Sequence, residues 1–95
     1  MRTLLDDGAI RNWLAAHPGW SRAGETIERT FTFPSFMEAV AFVQRVAILA
    51  EEVDHHPDLD IRYDKVRVGL STHSAGGITE MDTGLAEKAE NAARG

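Results

Sequence analysis

Apolar and polar residues alternate along this chain with two periods, and the switches between them divide it into seven segments. After Asp6 and Asp7, which can cap a first turn, Ile10, Trp13 and Leu14 recur at helical spacing. That predicts a helix over Asp7–Ala16, ended by His17-Pro18-Gly19. The period then shortens to two. Trp20 to Arg22, a turn at Ala23-Gly24 and Glu25 to Phe33 read as a hairpin, with Ile27, Phe31 and Phe33 on one face and Glu28, Thr30 and Thr32 on the other. Arg29 is the odd member of the apolar face, so it lies near an edge or meets a partner. Ser35, three residues before Glu38, has the capping-box pattern and opens the strongest helical signal in the chain. Phe36, Ala39, Val40, Val43, Val46, Ala47 and Ala50 follow at three- and four-residue steps as far as Glu51, an apolar stripe that must face a core.

Pro57 is the expected stop of that helix. It disfavours helical geometry at His56, so His55 and His56 should sit at the helix end or just beyond it. Next, Leu59, Ile61 and Tyr63 alternate with Asp58, Asp60 and Arg62, and past Asp64-Lys65 the alternation resumes as Val66, Val68 and Leu70. This is a second hairpin, in which Tyr63 reads as a core aromatic. Ser71 to Gly77 is a polar loop holding His73. Thr79 with Asp82 is a weaker capping pattern, and it starts a last helix carrying Met81, Leu85, Ala86, Ala89 and Ala93. The order α-β-β-α-β-β-α predicts an α+β fold over residues 1–95, one domain with a four-stranded antiparallel sheet and the helices packed on one face.

Composition narrows the function classes. A domain of 95 residues buries only about 60–70% of the surface its unfolded chain exposes. Covering sheet edges and the second sheet face with another subunit is therefore favourable, and a homo-oligomer is expected. The formal charge of −5, from 10 basic and 15 acidic residues, argues against nucleic acid, whose phosphates need clustered Lys and Arg. Cysteine is absent, which removes disulfides, thiolate nucleophiles and thiolate metal sites. The longest apolar run, Phe36 to Leu49, is broken by Glu38, Gln44 and Arg45 and is too polar to span a bilayer. Asp6 and Asp7 stand where a leader peptide would need its apolar core, so a cytoplasmic protein is expected.

The residues with chemistry to offer are Glu51, Asp54, His55, His56 and Pro57, then Tyr63, His73 and Asp82. Imidazole both gives and takes protons near neutral pH, and three of the four histidines belong to this spacing. Glu51 lies one helical turn before His55, where a carboxylate could orient the imidazole. The second hairpin should bring His73 back to the same end of the sheet. Plainer roles compete: His55 or His56 as a helix C-terminal cation, Glu51 and Asp54 as surface charge, Asp82 as a helix-start carboxylate. A metal site from His55, His56, His73 and Asp82 is a further alternative, weakened because adjacent histidines diverge on a helix. His17 reads as a surface residue, and Gly76-Gly77 lacks the Lys and Ser/Thr of a phosphate loop.

Taken as a set, the chain resembles the pterin-4a-carbinolamine dehydratase family. The resemblance is carried by Glu51-x-x-x-His55-His56-Pro57-Asp58, Tyr63 six residues after Pro57, Val66-x-Val68-x-Leu70-x-Thr72-His73 and Gly77-Ile78-Thr79-x-x-Asp82. Upstream it takes in Trp20, Ile27-x-Arg29-x-Phe31-x-Phe33, Phe36, Ala39 and Phe42. It implies dehydration of 4a-hydroxytetrahydropterin to quinonoid dihydropterin, in the recycling of the pterin used by aromatic amino acid hydroxylases. It implies no metal and no organic cofactor, and an assembly of two or four subunits. His55 and His73 match the family's proton-transfer histidines, His56 the substrate-positioning one, and Glu51 and Asp82 its acidic site residues. Some members of the family also stabilise a transcription-factor dimer, so an interaction module is the alternative from another class.

Overall fold

The computed structural model describes residues 3–95; Met1 and Arg2, the start of the stretch weighed as a leader, lie outside the described residues. The chain runs through α1 (Asp7–Ala16), β1 (Ser21–Ala23), β2 (Thr26–Thr32), α2 (Phe36–Val53), β3 (Asp58–Arg62), β4 (Lys65–Leu70), a 3₁₀ turn (His73–Ala75) and α3 (Glu80–Ala92). All strand pairs are antiparallel, in the order β1-β2-β4-β3. The fold class and the element order are those the periodicity predicts. No helix among the described residues is long and apolar enough to cross a membrane.

The register shows why one sheet face is covered. Ile27 pairs with Leu70, Arg29 with Val68 and Phe31 with Val66, so the even positions of β4 and the odd positions of β2 form one apolar surface. Against it α2 lays Ala39, Phe42, Val46 and Ala50, all buried, while α3 adds Leu85, Ala86 and Ala89. Phe42 lies between Phe31 and Phe33, with ring centroids 5.0 and 4.9 Å away. The open face is polar, with Glu28 and Arg67 paired at 2.9 Å across β2 and β4. Arg29 meets a partner within the chain: its guanidinium lies over the Phe31 ring at 4.6 Å and donates to Glu90 Oε1 at 2.8 Å. Ser21, the first residue of β1, pairs with Glu28, so Arg29 lies just beyond the β1–β2 ladder, where its guanidinium packs on Gly19, which has no side chain to displace it.

Three local expectations need correction. Tyr63 is not a core aromatic. It occupies the two-residue turn between β3 and β4 with φ 56°, the positive φ a tight hairpin turn demands, so it leaves the sheet face and the residue is 73% exposed. Ile61, beside it on the edge strand, is exposed as well. On α2 the buried stripe centres on Phe42 rather than Phe36 and Ala47, which face solvent because the helix is rotated to seat the Phe42 ring against Phe31 and Phe33. The Ser71–Gly77 loop is more ordered than its composition suggests: Thr72 N–H donates to Gly77 O at 2.8 Å, pinching the loop shut around the 3₁₀ turn.

Candidate active site

The site begins where α2 ends. The chain turns at Asp54, one residue past the last helical residue, with φ 50° and ψ 47°, the left-handed conformation in which many helices terminate. Asp54 N–H donates to Glu51 O at 3.3 Å and His55 N–H to Ala50 O at 3.1 Å, the pair of bonds that closes a Schellman turn. The stop therefore lies three residues before Pro57, and Pro57 holds the extended path that follows. His55 is thereby thrown off the helix axis and back toward α3. The one-turn spacing that would pair it with Glu51 no longer applies, because that spacing needs both residues in the helix.

His55 instead reaches Asp82, with Nε2 and Oδ1 2.6 Å apart. Asp82 is wholly buried at the first turn of α3. Its second oxygen, Oδ2, accepts from Thr79 N–H at 2.8 Å, completing a capping box, and from the Thr72 hydroxyl at 2.8 Å. Thr72 and Thr79 are themselves buried and their hydroxyl oxygens lie 2.8 Å apart. A buried carboxylate is costly unless its lone pairs are met, and here each oxygen has a donor in reach. The His55 side chain is only 12% exposed, and Nδ1 takes no hydrogen bond among the described residues but is not sealed from solvent. One ring nitrogen is thus anchored and the other is unbonded.

The remaining motif residues surround this pair at the surface. His56 Nε2 lies 2.5 Å from Glu51 Oε2, both side chains being largely exposed. His73 opens the 3₁₀ turn beside Thr72 and is exposed, with no side-chain hydrogen bond among the described residues. The loop ties it to the buried cluster through its neighbour Thr72. Asp54 faces solvent and Pro57 is half-buried. Among the described residues no group of three or more His, Asp or Glu could hold a metal ion, so the four-residue metal set is not gathered.

Thr72 and Thr79 appear in the sequence only as motif and capping positions, and the structure makes both of them part of the site. A signal for Thr72 was present: Val66, Val68 and Leu70 point to the core, and two residues further the same parity puts Thr72 inward.

Three comparisons bear on this arrangement. The family profile described as Pterin 4 alpha carbinolamine dehydratase matches residues 3–92. A protein of Thermomicrobium roseum bearing the name "Putative pterin-4-alpha-carbinolamine dehydratase" is 56% identical over 84 residues, covering 88% of this chain and 90% of that protein. One of the same name from Roseiflexus castenholzii is 52% identical over 86 residues, covering 90% and 92%. The solved structure of a transcriptional coactivator/pterin dehydratase from Brucella melitensis superimposes with a TM-score of 0.91 at 36% identity, covering 96% of this chain and 99% of the other. A pterin dehydratase-like RuBisCO assembly factor of the alpha-carboxysome has a TM-score of 0.68 at 25% identity, covering 81% and 92%. With a profile match over nearly its whole length and relatives above half identity, the chain belongs to the pterin-4a-carbinolamine dehydratase family.

Proposed function

We propose that this protein dehydrates 4a-hydroxytetrahydropterin to quinonoid dihydropterin by general acid-base catalysis. The observation that carries the reading is the His55–Asp82 pair, an imidazole anchored on a buried carboxylate with its other nitrogen unbonded, in a chain of this family. The reaction removes the hydroxyl from C4a and the proton from N5, and a C=N bond forms between those atoms. Hydroxide is a poor leaving group, so one positioned acid must protonate the departing oxygen while a base takes the N5 proton. Each such group contributes roughly 10²–10⁴-fold, which lets two histidines carry a mild elimination without metal or organic cofactor.

In this reading His55 and His73 are the proton-transfer residues. His56, steered by Glu51, positions the pterin, Asp82 holds His55, and Asp54 and Pro57 set the backbone path that brings the two adjacent histidines out in different directions. The protein acts in the cytoplasm as a homo-oligomer of two or four subunits, recycling a pterin for an aromatic amino acid hydroxylase.

The test uses chemically generated 4a-hydroxytetrahydropterin, following the ultraviolet change to product with and without a chelator. Acceleration that survives chelation is expected; acceleration abolished by chelation would favour a metal-dependent hydrolase. His55→Ala and His73→Ala should each lower turnover by about 10²–10⁴-fold with unchanged far-ultraviolet circular dichroism. Full activity in the double variant would sink the proposal. A second reading, an interaction module without turnover, draws on the coactivator and assembly-factor names of the two structural neighbours. Absence of acceleration in every sample would favour it.

A further inference from the structure

We infer that Thr72 and Thr79 are positioning residues whose hydroxyls form a one-way hydrogen-bond chain onto Asp82, fixing His55 with its proton on Nε2 and its bare nitrogen, Nδ1, toward the substrate. The kinetic part of this inference rests on the dehydratase reading; the structural part does not.

The direction of the chain follows from counting protons. Met81 N–H donates to Thr79 Oγ1 at 3.2 Å, and Thr72 Oγ1 donates its single proton to Asp82 Oδ2 at 2.8 Å. The 2.8 Å contact between the two hydroxyls can then be made in one sense only, with Thr79 giving its proton to Thr72. Asp82 Oδ2 is met by that terminal hydroxyl and by Thr79 N–H. Oδ1 is left facing His55 Nε2 at 2.6 Å. A carboxylate has no proton to give, so the proton of that contact belongs to the imidazole. Neutral His55 is held as the Nε2–H form, and the nitrogen able to take a proton is the unbonded Nδ1, which is not sealed from solvent.

The device spans two loops and a helix start. Thr72 ends the path from β4, Thr79 caps α3, and the loop between them, carrying His73, is closed by the Thr72–Gly77 backbone pair. Turning either hydroxyl away would leave a buried donor or acceptor unmet, so the chain is locked by the cost of breaking it. Both proton-transfer histidines of the proposed reaction are then referred to the same buried frame, His55 through Asp82 and His73 through its neighbour Thr72.

The test begins with the unmodified protein. Nitrogen-15 NMR of the ring atoms, followed through a pH titration, should show the neutral form of His55 protonated at Nε2 and bare at Nδ1; the opposite tautomer, or an even mixture, in the neutral form overturns the inference whether or not any variant folds. Thr72→Val keeps the shape and removes the hydroxyl. It should lower kcat about 10- to 100-fold with KM little changed and give mixed tautomers at His55, while Thr72→Ser restores both readouts. A Thr72→Val protein with wild-type kcat and a wild-type ring spectrum makes Thr72 a packing residue and overturns the proposal. A fixed Nε2–H tautomer that Thr72→Val scrambles, in a protein with no dehydratase turnover, upholds the positioning chain and sinks the dehydratase reading alone.

Discussion

Asp82 serves two elements with two oxygens: Oδ2 caps α3 and Oδ1 holds His55. A substitution there should therefore cost stability and turnover together. Asp82→Asn replaces one acceptor by an NH₂ that must face a donor, either at Thr72 and Thr79 or at His55. We expect a loss of about 1–3 kcal/mol in urea denaturation, the range for a buried polar group left unmet, and a roughly 10- to 100-fold fall in turnover. An unchanged denaturation midpoint would show that the network does not support the fold. At this scale the sequence was legible in identity and illegible in pairing. His55, His56, His73 and Asp82 stand out by type and spacing, but the helical geometry that would pair Glu51 with His55 is interrupted at Asp54, and Glu51 meets His56. Tyr63 escapes the periodicity for a related reason: its parity in the strand is right for the core, and only the positive φ of the turn removes it.

At the scale of elements, the helix stop that sets up the site depends on one residue without glycine's freedom. Asp is tolerated in the left-handed region and β-branched residues are not, so Asp54→Gly should keep the stop, while Asp54→Val should cost about 1–2 kcal/mol and lower turnover by displacing His55. Equal stability and activity in the two variants would remove Asp54 from the design of the site. The caps show a complementary lesson. Ser35 and Glu38 match the capping-box pattern, yet the bond seen is Ser35 Oγ accepting from Glu38 N–H at 3.2 Å, whereas the weaker-looking Thr79 and Asp82 form the full box. Burial decides between them: the exposed Glu38 carboxylate has water to bind, and the buried Asp82 carboxylate does not. Another tie joins α1 to β1, where Arg22 donates to Asp7 Oδ1 at 2.9 Å. That hydrogen bond, with the guanidinium charge behind it, holds the Asp7 carboxyl below the usual carboxylate range. A folded-state value that is depressed stabilises above the unfolded value, about 3.9, and the contribution is lost as pH falls through the folded value. Asp7→Asn should therefore lower the urea midpoint at neutral pH, and the gap to the wild type should close on acidification past the carboxylate range. A gap that persists in acid would assign the effect to something other than charge.

For the whole molecule, the order of elements was legible because each hydrophobic period is long enough to name its element, and the antiparallel sheet followed from two local hairpins. Which face of α2 is buried was less legible, since that helix is apolar on more than one side. Beyond the core stripe it carries a second, outward row: Met37, 71% exposed, and Ile48, 61% exposed, with Ala41 and Gln44 between them at steps of four, three and four residues. Ile48 also borders a groove of about 500 Å³ between α2 and α3, lined by Arg45, Leu49, Lys88, Asn91 and Ala92. Large apolar side chains such as Met37 and Ile48 on the outward side of a helix are what a subunit contact would cover, and they fit the homo-oligomer proposed above. If two such rows pack about a two-fold axis, every side chain in the contact is lost twice on substitution. Burying one Ile contributes about 1.5–3 kcal/mol, so Ile48→Glu should remove roughly twice that from a dimer contact and add two unpaired charges. Light scattering on the wild type should give two or four times the chain mass of 10.5 kDa, and the variant should fall to a smaller species with its circular dichroism unchanged. A wild-type mass of one chain refutes the assembly, and an undiminished mass for Ile48→Glu moves the contact off this helix, to the unpaired edge of β3 or the polar sheet face.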